Sequence, residues 1–330
     1  MIRNLSLDGV WQVGDERRYD GEAPVPGLAR DPSRMQEGAL WYRRTVGLPA
    51  GDWTHATLTL QGARFSPAVY VDGREVSRAA GGMAPTQHPL SGEGVRPGVE
   101  IVLEVALASL ADVPRGDASR IPEADWWRSN VSSCLWDCVR LRLHGPARLA
   151  RLVPLARPAE DRVDVAWRVE PLAQGVGPLG LRVEILDGVG GVVASGLAAD
   201  VAGEGVLPIP LGNAVRTWSP ERPTLYTLRA DVLDGDGRAL DRIEHPWGLK
   251  RFEVDGLGFR LNGDPVTLRA GTVVWHRWVR DPEARELAFD AGWFEEHVVR
   301  RLKRYGANTL RFHLGMPPEA LLDLCDRHGL

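Results

Sequence analysis

The hydrophobic period of this chain changes near Phe259, and that change constrains the fold more than any other feature. Before it, apolar residues come in short alternating runs, the pattern of strands with one buried face. After it, the turn Asn262-Gly-Asp-Pro265 and Val266-Thr-Leu-Arg269 read as a hairpin leading into a first strand. A helix follows, with Asp290 placed to cap it, Glu295 and Glu296 near its positive end, and Phe294, Val298, Leu302 and Tyr305 on one face. Gly306 ends it, Asn308-Thr-Leu-Arg-Phe312 forms a second strand, and Pro317 and Pro318 open a second helix. That helix runs through Leu321, Leu322, Leu324 and Cys325 to Gly329. Strand, helix, strand, helix is βα order, so residues 251–330 are expected to form the first two units of an incomplete (β/α)8 TIM barrel. Such a barrel needs eight units over roughly 250 residues. Unpaired strand edges and an uncovered hydrophobic interior are therefore expected, with aggregation or association as the consequence.

The preceding residues predict two all-β domains. In residues 1–147 the strand-like runs include Trp41–Val46, Ala56–Leu60, Ala68–Val71, Ile101–Leu107 and Val139–Leu143. Asp72-Gly73 lies between Val69-Tyr-Val71 and Arg74-Glu-Val76, a spacing suited to a tight hairpin whose central residues take positive φ. This set predicts a jelly-roll β-sandwich. Residues 148–250 repeat the theme with Val163–Val169, Leu181–Leu186, Leu225–Ala230 and the turn Asp234-Gly-Asp-Gly237. About 100 residues of this kind suit an immunoglobulin-like β-sandwich. Leu149 to Pro158, with two prolines, reads as a connection. The chain as a whole is expected to be multidomain and mainly β.

Composition narrows the function classes. A net charge of -4 with no basic run gives no electrostatic reason for nucleic acid or an anionic membrane. No leader-like segment and no apolar run of membrane-spanning length is present, so the expectation is a soluble, cytoplasmic chain. Three cysteines do not make a disulfide framework, and Cys134 and Cys138 on an extended segment would sit roughly 13 Å apart. Reduced thiols are expected. The tripeptides Asn4-Leu-Ser6 and Asn130-Val-Ser132 match a glycosylation site but carry little meaning without a secretion signal. Gly175-Val-Gly-Pro-Leu-Gly180 fits a dinucleotide fingerprint, yet it precedes a strand where phosphate binding needs a helix N-terminus. No cysteine or histidine cluster has zinc spacing, and no Gly-x-Ser-x-Gly elbow appears.

Several phrases, in one order, resemble the family 2 glycoside hydrolases, which include β-galactosidases, β-glucuronidases and β-mannosidases. They are Trp41-Tyr-Arg-Arg, Val69-Tyr-Val-Asp-Gly-Arg-Glu-Val76, Gly81-Gly-Met-Ala-Pro85, Pro223-Thr-Leu-Tyr226, Leu261-Asn-Gly-Asp-Pro265, Tyr305-Gly-Ala-Asn-Thr-Leu-Arg311 and Leu324-Cys-Asp-Arg-His-Gly-Leu330. The resemblance spans essentially the whole chain. It implies hydrolysis of β-glycosides with retention, by a glutamate acid/base that follows an asparagine and a second glutamate as nucleophile. Retention needs two carboxyl groups roughly 5 to 5.5 Å apart, one protonated and one ionised. Asn4, Asn130, Asn213, Asn262 and Asn308 are followed by Leu, Val, Ala, Gly and Thr. The resemblance therefore places both catalytic glutamates beyond Leu330. It assigns no catalytic residue within these 330 residues, which are expected to be a truncated and inactive portion.

The resemblance does assign supporting residues. Asp125 in Asp125-Trp-Trp-Arg128 corresponds to an aspartate that binds sugar hydroxyls and, in some members, sodium; the alternative is a turn cap or a pair with Arg128. Ser133-Cys-Leu stands where Ser-Gly-Ile would be expected, and the interval from Asp125 is about three residues longer. Trp126 and Trp127 offer apolar faces to a sugar ring, or bury against the next domain. Arg311, three residues after Asn308, corresponds to the arginine that holds the nucleophile carboxylate, the alternative being a pair within the barrel. His313 and His276 correspond to sugar-contacting histidines, each displaced by about one position, and an ordinary exposed histidine is the alternative at His276. No cofactor and no metal site is assigned, and the sodium or magnesium ion of some members is not supported here. The expected partner is carbohydrate. Two other readings stay open: a non-catalytic carbohydrate-binding protein, and a scaffold subunit. The latter would dock with a chain that completes the barrel; a homo-oligomer is a further open assembly.

Overall fold

The computed structural model describes residues 2–30, 38–92, 94–109, 112–113, 133–212, 215–279, 281–313 and 315–330. Its first part is a β-sandwich. One sheet runs, in spatial order, Arg3–Ser6, Val139–His144, His55–Leu60 and Thr86–Leu90. The other runs Arg18–Val25, Gly9–Asp15, Leu40–Gly47, Glu100–Leu107, Ala68–Val71 and Arg74–Arg78. Alternation sets the faces: Leu40 and Tyr42 are fully buried between the sheets, while Trp41 and Arg43 lie on the outer face. Each large apolar side chain so buried stabilises by roughly 1.5–3 kcal/mol. Asp72 and Gly73 take φ of 49° and 80° in the hairpin between Ala68–Val71 and Arg74–Arg78, as their sequence predicts.

A second sandwich packs Ala147–Arg157, Arg162–Pro171 and Gly203–Pro210 against Val192–Ala199, Gly180–Leu186, Tyr226–Leu233 and Ala239–Trp247. Val163, Val165, Val183, Ile185, Leu228 and Val232 fill its core. The segment read as a connection from Leu149 to Pro158 is instead most of an eleven-residue strand, Ala147–Arg157. It lies at the edge of its sheet, so Pro154 removes no ladder hydrogen bond that a central strand would need. Pro208, Pro210 and Pro246 also sit on edge strands.

The two sandwiches meet at a buried carboxylate. Asp241 accepts the Leu149 and Arg242 backbone N–H groups at 2.7 and 2.9 Å and faces Arg142 at 3.4 Å. Beside it, Gly145 N–H donates to the Leu240 carbonyl at 2.6 Å.

After the second sandwich come a three-stranded antiparallel meander and a parallel pair of strands. The meander comprises Phe252–Asp255, Gly258–Leu261 and Asp264–Val266. At its second turn Asn262 and Gly263 take φ of 55° and 94°, and the Asn262 amide nitrogen donates to the Trp218 carbonyl at 3.0 Å. The parallel pair is Ala270–Val273 with Thr309–Phe312, joined by a helical crossover. Val273, Leu310 and Phe312 face a helical core built on Trp275, Phe294, Val299, Leu321 and Leu324. The opposite face carries Ala270, Thr272 and Arg311, all exposed. The uncovered face is thus small and polar rather than the hydrophobic one expected. Bulky exposed apolar residues instead cluster on and beside the meander, at Phe252, Val254, Leu257, Phe259 and Leu268.

Asp290 caps the crossover helix as its position predicts, its carboxylate accepting Trp293 N–H at 2.9 Å. The predicted face does not hold to the end. The helix is α over Ala291–Phe294 and Arg300–Arg304 but takes a wider i→i+5 turn over Glu295–Val299. The wide turn advances the buried position from Phe294 to Val299, and Tyr305 ends 89% exposed. Leu302 is half-buried against Gly271, where a Cβ would lie 2.6 Å from a Leu302 methyl. The last helix, Glu319–His328, closes at Gly329 with φ 76°. Trp218 Nε1 donates to the Asp326 carbonyl at 2.8 Å, and Lys303 Nζ bridges the Pro220 and Gly329 carbonyls at 3.0 and 2.9 Å. These contacts join the helices to the second sandwich. Among the described residues no helix is long and apolar enough to cross a membrane.

Candidate active site

The parallel pair defines a polarity, since both strands end on the same side of the molecule. Asn308 fixes the entry end. Its side-chain oxygen accepts the Arg269 N–H at 2.8 Å, and its nitrogen donates to the Thr267 carbonyl at 3.0 Å. At the exit end His313 N–H donates to the Val273 carbonyl at 2.8 Å, adding one bond beyond the ladder. The candidate residues Arg311 and His313 therefore lie on one strand end, beside the end of the strand that precedes His276.

Arg311 pairs in register with Thr272, and both side chains stand on the exposed face. Among the described residues its guanidinium has no carboxylate partner. Five donors in a fixed plane suit this exposed guanidinium to holding an anion over the strand end. His313 is half-buried. His276 lies in the short helix Trp275–Trp278 directly after the first strand, with its side chain outside the described part. Asp125 and Trp127, with Trp126 and Arg128, also fall outside the described residues.

The wall beside these strand ends comes from the first sandwich and was not legible in sequence. Cys134–Leu135 pairs with Ala63–Arg64, and Trp136 then packs on Trp275 with ring centroids 5.8 Å apart. Trp136 Nε1 donates to the Gly82 carbonyl at 3.0 Å. The next residue, Asp137, accepts Glu319 N–H at 2.8 Å and Cys138 N–H at 2.7 Å, while Arg140 pairs with the Glu319 carboxylate at 2.6 Å. Burial pushes the Asp137 carboxyl up to about 6 against those hydrogen bonds. Cys134, Cys138 and Cys325 are free, buried thiols raised to about 12 by burial, so none is a thiolate nucleophile at neutral pH.

A cavity of about 840 Å³ lies at the other end of the pair, between the second sandwich and the meander, and touches Arg251, Asn262, Arg269 and Asn308. It sits at the entry ends of the strands, away from where sites form in barrels of parallel strands.

Comparison with known proteins bears on this geometry. Residues 155–250, most of the second sandwich, match the model of glycosyl hydrolases family 2. A β-glucuronidase of Paenibacillus borealis is 25% identical over 362 residues, covering 98% of this chain and 57% of the relative. The chain is similar to glycosyl hydrolase family 2, whose model it matches over the second sandwich. A second family relative, a β-glucuronidase of Sus scrofa, is 27% identical over 346 residues, covering 94% of this chain and 50% of its own length. The chain thus spans about half the length of these family 2 relatives. A solved family 2 β-galacturonidase from Eisenbergiella tayi, bound to galacturonate, superposes with a TM-score of 0.73 at 23% identity. That match covers 99% of this chain and 57% of the other, and it shows a shared fold.

Proposed function

We propose that this chain serves a retaining β-glycosidase, supplying two sandwiches and the first two strand-helix units of its barrel. Residues 1–147 would be the jelly roll, 148–250 the immunoglobulin-like sandwich and 251–330 the barrel start. The observation that carries this reading is Arg311, exposed at the end of the second parallel strand with no carboxylate beside it among the described residues.

In this reading Arg311 faces the carboxylate of a nucleophilic glutamate supplied by a later strand. An adjacent guanidinium lowers a carboxyl pKa by about 1–3 units, which keeps the nucleophile ionised while its partner stays protonated to donate to the leaving oxygen. His313 and His276 contact sugar hydroxyls from the two strand ends, and Asp125 and Trp127 offer a further acceptor and a stacking face. The substrate is a β-glycoside.

The test compares these 330 residues alone with the same residues continued by the rest of a family 2 barrel, assayed on nitrophenyl β-glycosides. Turnover only by the longer protein supports the reading. Reproducible turnover by the 330 residues alone, surviving Arg311→Ala, would defeat it.

A further inference from the structure

Two consecutive residues of the first sandwich touch the segments that follow the two parallel strands. Trp136 packs on Trp275, two residues after the strand Ala270–Val273. Asp137 accepts the backbone N–H of Glu319, the first residue of the helix that follows Thr309–Phe312. That helix begins after Pro318 and has no side-chain cap of its own. A helix start leaves backbone N–H groups without intrahelical partners, and a carboxylate there satisfies one while meeting the positive end of the helix dipole. Asp137 performs this across 182 residues of sequence. Asp137 is 4% exposed, and while one carboxylate oxygen accepts the helix N–H the other is held by Cys138 N–H of the sandwich.

We propose that Asp137 is a positioning residue: by capping the last helix from the first sandwich, it fixes the strand end that carries Arg311 and His313. The consequence for catalysis rests on the glycosidase reading above, whereas the mechanical coupling does not. The surroundings are mixed in charge. Arg140, Cys138 and Asp8 face the site from the first sandwich, Glu319 and Asp323 from the last helix, and His245 reaches the Glu319 field from the second sandwich. Asp8 gives an internal control, because its carboxylate accepts Val139 N–H at 2.9 Å within the first sandwich.

Hydrogen exchange on the 330-residue chain tests the coupling. Asp137→Ala should speed exchange at residues 309–321 at least about tenfold, the effect of one lost charge-assisted hydrogen bond. Strands Val139–His144 and His55–Leu60 should be unaffected, and Asp8→Ala should leave 309–321 unaltered. Asp137→Asn, which keeps one acceptor oxygen, should restore part of the protection. In the wild type, the Glu319 and Cys138 amide resonances should titrate together with a midpoint near pH 6, and in Asp137→Asn neither should. If Asp137→Ala fails to fold, Glu319→Pro deletes the same donor at a helix position that tolerates proline, and it must give the same local pattern. Unchanged exchange at 309–321, loosening spread evenly through the first sandwich, or independent titration of the two amides would overturn the proposal. None of these readouts depends on glycoside turnover, so failure of the glycosidase reading would leave them standing.

Discussion

The Asn308 side-chain oxygen accepts the Arg269 backbone N–H at 2.8 Å, and through this bond the entry to one parallel strand is tied to the entry of the other. The same side chain donates to the Thr267 carbonyl at 3.0 Å and is 8% exposed. Asn308→Ala strands a donor and an acceptor where water has little access, at about 1–3 kcal/mol for a buried unsatisfied group. The expected result is a loss of about 2–3 kcal/mol in urea denaturation, with faster hydrogen exchange at Ala270–Val273 and Thr309–Phe312. Asn308→Asp should recover part of the loss by keeping the acceptor.

Why some of this was legible in sequence and some not follows from the range of each interaction. The Asp72-Gly73 turn, the Asp290 cap and the Gly329 stop are set by residues within four positions of each other, and each stands where its residue type predicts. Pro154 misled because the sequence does not say which strand will lie at a sheet edge. Tyr305 was misplaced because a wide turn five residues long moved the apolar face of its helix by one position. Arg311 was a candidate through the resemblance, by its spacing to Asn308, whereas nothing in the sequence points to Trp136 or Asp137. Their partners, Trp275 and Glu319, are brought to them only by the packing of whole domains.

Gly62 is where the Trp136 contact can be tested from behind. A Cβ at Gly62 would lie 2.4 to 2.7 Å from three carbons of the Trp136 indole, a rigid group held by its bond to Gly82. Overpacking of this kind costs about 1–3 kcal/mol. Gly62→Ala is therefore expected to lower stability by about 3 kcal/mol and to alter the near-ultraviolet dichroism of the Trp136–Trp275 pair. A variant with wild-type stability and an unchanged tryptophan signal would contradict this packing.

Asp241 makes the junction between the sandwiches sensitive to pH. Burial raises its carboxyl to about 6 from a usual 3.8, despite Arg142 and two backbone N–H donors, and burial also lowers the Arg142 guanidinium. For both partners the loss of water outweighs their attraction. A carboxyl whose folded pKa is raised favours folding while protonated. Its contribution is complete below the unfolded value near 4 and disappears as pH rises through 6. Denaturation at pH 4, 5, 6 and 7 should show wild type losing up to about 3 kcal/mol relative to Asp241→Asn across that window. A difference between the two proteins that is independent of pH would show that the carboxyl titrates as if exposed.

Arg311 separates a functional arginine from a structural one. An exposed residue with no ion pair among the described residues contributes little to folding, so Arg311→Ala should change the stability of the 330-residue chain by no more than about 0.5 kcal/mol. In the protein with its barrel continued, the same substitution should lower kcat by at least about 100-fold, the usual scale for removing a preorganised electrostatic partner. KM should move far less. Arg311→Lys restores the charge but not the planar fork, so only part of the activity should return. Chemical denaturation and steady-state kinetics on the same variants check both halves. A large loss of stability in the short chain would make Arg311 a structural residue and remove it from the site.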